Sequence, residues 1–222
     1  QKSESLKEFL METAAGATEE LMEKYFESMS LEHDDIVSGI RSGVANGSVV
    51  PIFCGSAIKN HGTPSVLRAI VKCAPGPGQR EVVSVDGDEI SCDPDGKPVA
   101  YVFKTIADQF GRYSYIKVMS GKITADMSLY NPRTRSNDKL GRLYSMTGKK
   151  AVEVKEICCG DIGAVGKMEW KTGDTLCDAK SEEVLPGISV PDPCYSMAIS
   201  PKTKGQEDKI ASGLSRLNEE DI

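Results

Sequence analysis

Only two histidines, His33 and His61, and one tryptophan, Trp170, occur in the 222 residues. Neither histidine stands beside an obvious nucleophile, so a Ser/His or Cys/His catalytic arrangement is not expected. Seven cysteines are present, yet no C-x-x-C pair occurs, and both histidines lie far from a second ligand. An odd count, with most cysteines inside apolar runs, argues for reduced thiols in a cytoplasmic protein rather than zinc or a disulfide framework. No apolar run approaches the about 18 residues a membrane span needs. The opening residues, QKSESLKEFLMETAAG, lack an initiating Met and the basic-then-apolar pattern of a leader. They read as the middle of something, so a piece of a longer protein is expected.

Phosphate-binding chemistry is also missing. A G-x-x-x-x-G-K-[ST] loop cradles phosphates with glycine amides and serves the terminal phosphate and magnesium with Lys and hydroxyl. The Gly-Lys pairs at Gly96, Gly121, Gly148 and Gly166 all lack the upstream glycine or the following Ser/Thr. Asn-Lys-x-Asp, a guanine-reading element, is absent. Asp-x-x-Gly occurs at Asp93–Gly96 and Asp108–Gly111, but in turn-like stretches away from any α/β context, and both are taken as accidental. Hydrolysis of a nucleoside triphosphate by this chain alone is not expected.

What the chain does have begins with helices. Residues 4–28 carry an apolar stripe of Leu6, Phe9, Leu10, Ala14, Leu21 and Tyr25 among Glu and Lys. A second helix is expected from Ser30 to about Asn46-Gly47, with Ile36 and Ile40 on one face. The β-branched run Ser48–Phe53 reads as a buried strand. It ends in Cys54-Gly55-Ser56-Ala57, a small-residue loop suited to close approach by a flat ligand such as guanine. A third helix starts at Thr63-Pro64, Pro fitting the first turn, and buries Val66, Leu67, Ile70 and Val71. Pro75-Gly76-Pro77-Gly78 then breaks the chain.

From about Pro98 the pattern changes to short alternating strands separated by Gly, Asn and Asp, which predicts a closed or nearly closed β-barrel. Strands are expected at 99–106, 112–119, 122–123, 128–130, 140–144, 152–154, 162–165 and 173–176, with a turn at Phe110-Gly111 joining the first two. Pro186-Gly187 closes this segment. The rest reads as a strand over Cys194–Ile199, a loop, and a helix through Ile210, Leu214 and Leu217, the start of a βα unit.

Charge separates the same regions. Residues 98–180 carry 14 Lys/Arg against 9 Asp/Glu, a net +5, whereas the remainder carries −11. Arg112, Lys117, Lys122, Arg133, Arg135, Lys139 and Arg142 lie among Tyr113, Tyr115, Tyr130 and Tyr144. Such a surface suits RNA, whose phosphates Lys and Arg contact without reading sequence. The same composition also fits tyrosines filling barrel layers and lysines facing water.

Several stretches carry a family resemblance. They are Glu19-Glu20-Leu21-Met22-Glu23-Lys24-Tyr25, Cys54-Gly55-Ser56-Ala57-Ile58-Lys59-Asn60, and Phe103-Lys104-Thr105 through Asp108-Gln109-Phe110-Gly111 to Val118-Met119-Ser120-Gly121. Gly160-Asp161-Ile162, Thr172-Gly173-Asp174-Thr175-Leu176-Cys177, Ile199–Lys204 and Asn218–Asp221 continue the series in order. Together they resemble translational GTPases, most closely elongation factor G. Ile58 where Phe is usual, His61 where Lys is usual, Met119 in the barrel phrase, and Cys73-Ala74-Pro75-Gly76-Pro77 in the linker mark a divergent, paralogous member.

The resemblance implies a multi-domain α+β chain. Residues 1–79 correspond to the end of a GTPase domain with part of its helical insert, and 80–97 to a linker. Residues 98–186 correspond to a β-barrel second domain, and 187–222 to the truncated start of a ferredoxin-like third domain. It implies a parent that binds GTP or GDP with magnesium, docks on the ribosome and promotes movement of tRNA and mRNA. No cofactor is expected in the fragment itself. Gly55, Ser56 and Ala57 are the expected guanine loop, with the Ser56 and Ala57 amides on the guanine carbonyl oxygen. Arg112, Lys117 and Lys122 are the expected contacts to small-subunit ribosomal RNA. A cytoplasmic monomer is expected, with neither DNA nor membrane as partner. Ribosome-protection and release-factor-type GTPases share this architecture, and a non-catalytic RNA- or protein-binding barrel remains the alternative of another class.

Overall fold

The computed structural model describes residues 2–79, 82–108, 111–148, 150–179 and 183–221. The chain divides into two compact units, residues 1–80 and 81–222. The first is helical: α1 (Lys2–Ala15), α2 (Glu19–Ser28), α3 (His33–Asn46) and α4 (Thr63–Cys73). The single stripe expected over 4–28 is two helices. Gly16 and Ala17 interrupt it, and Thr18 caps α2 by accepting the Leu21 N–H, one of the donors a helix start leaves unpaired.

Ala14, Ala15, Tyr25 and Leu31 form a small core with Met11, Met22, Ile36 and Ile40 against it. At Gly39 a Cβ would collide with the carbonyl of Ala14, so glycine is what lets α1 and α3 cross in contact. Leu6, Phe9 and Leu10, expected on the buried stripe, are exposed.

Two further expectations are corrected in this unit. Ser48–Phe53 forms no strand; it is irregular, and Val50, Ile52 and Phe53 are exposed. α4 buries none of its residues, and Leu67, Ile70 and Val71 lie open. The physical reason is common to both. A strand needs a neighbour to receive its backbone groups, and a helix buries its apolar face only against a sheet or another helix. Among the described residues no strand pairs with 48–53.

The second unit is built on eight strands: β3 (Val99–Asp108), β4 (Gly111–Ser120), β6 (Ser128–Asn131), β7 (Ser136–Lys139), β8 (Leu143–Thr147), β9 (Lys150–Val154), β11 (Ile162–Gly166) and β12 (Thr175–Cys177). They form one antiparallel sheet of order β7-β6-β12-β3-β4-β11-β8-β9. A two-stranded pair, β5 (Lys122–Thr124) and β10 (Glu156–Cys158), contributes Ile123 and Ile157 to the same core as the large sheet. That core holds Val102, Ile116, Val118, Leu129, Leu143, Val165, Leu176 and Trp170, so the sheet curls about one interior. β4 shows the cause: Ser114, Ile116, Val118 and Ser120 are buried in strict alternation, the period of a strand with one buried face. Gln109 and Phe110 of the expected hairpin turn lie outside the described residues.

The stretch expected as a linker is structured where it is described. β1 (Val82–Val83) pairs with β2 (Glu89–Ile90). Ile90 is buried with Val99, Tyr101, Cys177 and Leu185. The expected strand Cys194–Ile199 is irregular and exposed; among the described residues no strand pairs with it. The helix after it does form, as α5 (Glu207–Glu220). It is tied to β3 by Ala107 N–H donating to Glu220 Oε1 at 2.8 Å and by Arg216 Nη2 donating to the Ala107 carbonyl at 2.9 Å. The whole is thus a mixed α+β chain with a large antiparallel sheet. Among the described residues no helix is long and apolar enough to cross a membrane.

Candidate guanine loop and nucleic-acid interface

In the helical unit, residues 54–62 fold back on themselves before α4 begins. Ser56 and His61 form an antiparallel bridge, Ser56 N–H to the His61 carbonyl and His61 N–H to the Ser56 carbonyl, both at 3.0 Å. Asn60, in the left-handed region at φ 53°, donates its N–H to the Ala57 carbonyl at 3.2 Å. The Lys59 N–H reaches Ser56 Oγ at 3.4 Å. Gly55 is required by packing: a Cβ there would stand 2.6 Å from the His61 carbonyl oxygen. The small residues therefore let two backbone segments touch, as the sequence suggested, but the partner brought close is the chain itself.

This closure sorts the two expected amides. The Ser56 N–H is already spent on His61, while the Ala57 N–H meets no acceptor among the described residues. Ala57 is exposed, so of the two expected amides it is the one available to a carbonyl oxygen such as that of guanine. The residues present fit the base only in part: one of the two expected amides is occupied, and among the described residues no phosphate-gripping loop accompanies the other.

In the second unit the three expected RNA contacts are not brought together. Arg112 is largely shielded, its Nη2 donating to the Trp170 carbonyl at 2.6 Å and its Nη1 pairing with Glu219 of α5 at 3.2 Å. Lys117 lies half-buried on β4, opposite Ile162 of β11 and Tyr101 of β3. Lys122 is exposed on β5, opposite Cys158.

A buried polar network organises the neighbouring turns. Asp174 accepts from Asn131 Nδ2 at 2.9 Å, from the Lys171 amide at 3.0 Å and from Arg133 Nη2 at 2.8 Å. Burial pushes the Asp174 carboxyl up, but Arg133, the Lys171 amide and Asn131 outweigh it and hold it below its ordinary 3.8. Trp170 Nε1 donates to Asp138 Oδ2 at 2.7 Å. Arg133, one of the scattered cations of the sequence, is therefore a structural clamp. Lys139, Arg142 and Lys167 line one cavity, and Arg112 and Lys171 another. Lys139 and Arg142 are near neighbours in sequence, and what the sequence hides is that Lys167 joins them.

Comparison with known proteins bears on both units. A family model described as "Elongation factor G domain 2" matches residues 97–179, and one described as "Elongation Factor G, domain III" matches residues 190–222. A solved structure of a protein from Thermus thermophilus is similar with a TM-score of 0.76 and 27% identity. The match covers 95% of this chain and 30% of that one, so the chain spans under a third of the length of the structure it resembles.

Proposed function

The chain belongs to the elongation factor G-like translational GTPases, and from that premise we propose that it is a non-catalytic part of a longer, cytoplasmic, ribosome-binding factor that promotes movement of tRNA and mRNA during elongation. The observation that carries this reading is order. Second-domain and third-domain models follow one another along 97–222, and a small-residue loop of guanine-binding type precedes them at 54–62.

The division of labour follows from the residues present. The Ala57 amide would hold the guanine carbonyl oxygen, where a backbone donor discriminates without a side chain. Phosphates and magnesium would be held by parts of the parent that this chain does not contain, so no hydrolytic step is assigned to these residues. The barrel's contribution is docking, through cations on an otherwise rigid sheet. α5 is bound to β3 and Arg112, which gives the second and third family segments a fixed joint at Ala107.

The test is cosedimentation of the chain with ribosomes through a sucrose cushion over a salt series. Binding that weakens steeply with salt is expected, because phosphate neutralisation releases counterions. Absence of binding at low salt would sink the ribosomal reading. Nucleotide binding separates the two functions: GDP titrated calorimetrically into the chain alone should give no heat of binding. One loop amide cannot replace charge-assisted contacts to phosphates.

A further inference from the structure

We propose that Cys92 and Cys159 are a redox-active dithiol, a modification site at which a hydroperoxide drives formation of a reversible disulfide. The two residues are distant along the chain, Cys92 between β2 and β3 and Cys159 directly after β10. One residue of the barrel joins their backbones. Gly121 donates its N–H to the Asp93 carbonyl at 2.8 Å, and its own carbonyl accepts the Cys159 N–H at 2.9 Å. The Cys92 and Cys159 thiols are themselves in side-chain hydrogen-bond contact.

The segment that carries Cys92 is seated on the barrel by close backbone approach. Gly121 stands at φ 67°, and a Cβ on it would lie 2.7 Å from the Gly96 carbonyl oxygen and 2.8 Å from the Pro98 nitrogen. A Cβ on Gly96 would stand 2.7 Å from Ser120 Oγ. Only glycine permits such contact on both sides. Asp93 holds the turn that follows Cys92, its carbonyl accepting the Gly96 N–H at 3.1 Å and its Oδ1 the Asp95 N–H at 3.0 Å. Cys158, by contrast, is held opposite Lys122 in the ladder of β5 and β10.

The two sulfurs are suited to different steps. Both residues are half-buried, and Cys159 packs against the barrel core. Burial, then the hydrogen bond and charge of Cys92, with Cys158 and Asp93 behind them, push the Cys159 thiol up to about 11. Cys159 therefore keeps its proton near neutrality, and Cys92 is the sulfur that attacks the hydroperoxide, because the thiolate is the nucleophile. The Cys92 sulfur takes one peroxide oxygen as the O–O bond breaks, giving the sulfenic acid, and the other oxygen leaves as water. Cys159 then attacks the Cys92 sulfur; the S–S bond forms, the S–O bond breaks, and the departing oxygen takes the Cys159 proton as a second water. Two thiols lose two electrons and the peroxide gains them. Loss of the Cys92 charge in the first step removes one of the causes that hold the Cys159 proton. Among the described residues no group of three ligating side chains gathers to hold a metal ion, so the chemistry of this pair is that of a dithiol.

The experiment oxidises the dilute whole chain with hydrogen peroxide, blocks remaining thiols with iodoacetamide, and maps tryptic peptides by mass with and without dithiothreitol. Trypsin places Cys92 in 81–104 and both Cys158 and Cys159 in 156–167, so variants assign the partner. A dithiothreitol-sensitive link between these peptides is expected in wild type and in Cys158→Ser, and is expected to be lost in Cys92→Ser and Cys159→Ser. It should exceed links from Cys92 to the exposed Cys54 and Cys194 by roughly tenfold or more, since groups held in contact react at high effective concentration. Oxidation in urea should abolish that preference. Should Cys159→Ser fail to fold by circular dichroism, wild type, Cys92→Ser and Cys158→Ser decide the matter. A link lost in Cys158→Ser, a link equally abundant in urea, or recovery of Cys92 as a free thiol or unlinked oxide overturns the proposal.

Discussion

The two units of this molecule treat their apolar residues in opposite ways. In the barrel unit Trp170 is 1% exposed, and Ile116, Val118, Leu143 and Leu176 are fully enclosed. In the helical unit Ile52, Ile58 and Val71 are 87%, 101% and 84% exposed. Both regions carry comparable hydrophobic patterning, so composition does not explain the contrast. Topology does. Strands β3 to β12 find partners both next along the chain, as β3 with β4, and far along it, as β12 with β3, and together they line one interior. Among the described residues the apolar face of α4 meets only α3, and no strand pairs with 48–53.

The contrast can be broken most severely at the sole tryptophan. Trp170→Ala removes a filled core volume together with the indole donor to Asp138, and should cost about 3–5 kcal/mol. Denaturant unfolding followed by circular dichroism should show the loss in the strand signal, with the helical signal of residues 1–80 less affected. A uniform loss across both signals would mean the units unfold as one.

A smaller effect is expected at Asp174. Asp174→Asn leaves Arg133 without its carboxylate and should cost about 1–3 kcal/mol, read from Trp170 fluorescence during urea unfolding. Because the folded-state carboxyl is held below 3.8, its contribution is complete above that value and fades as pH falls through the folded value. The gap between wild type and variant should therefore be constant near neutrality and narrow in acid. A gap that widens in acid would reverse the assigned direction.

The smallest change is predicted on the open face of α4. Val71→Ser should alter stability by no more than about 0.5 kcal/mol, as surface substitutions do. Thermal melts of the chain suffice to check it. A loss of about 2 kcal/mol or more would mean that the face is covered in solution, and would erase the contrast between the units.

Much of this was legible along the chain. β4 announced itself because Tyr113–Ser120 alternates with a period of two, and α3 because Ile36 and Ile40 recur at helical spacing. Strand β7, Ser-Asn-Asp-Lys, was not, since it offers no apolar alternation; it exists because Arg135 takes a left-handed turn at φ 57° that folds it back onto β6. β10 is similarly short and follows Lys155 without punctuation. A tight loop was legible in Gly55-Ser56-Ala57, but not that the Ser56 amide would be occupied by His61, a bond depending on the turn at Asn60. Arg112 read as a surface cation and is drawn inward by the Trp170 carbonyl and Glu219, 58 residues and more away along the chain.

By itself, then, the amino-acid sequence determined where the helices α3, α4 and α5 lie, where the run of short strands begins, and that it carries no phosphate-loop motif. These depend on residues within a few positions of one another, through rotamer freedom, capping and side-chain alternation. Only the tertiary structure decided which apolar faces are buried, that the Ser56 amide is paired within its own loop, and which three cations meet at one cavity. Those depend on partners brought together from distant parts of the chain. Side-chain type states what a residue can do, and only the fold determines what it is placed beside.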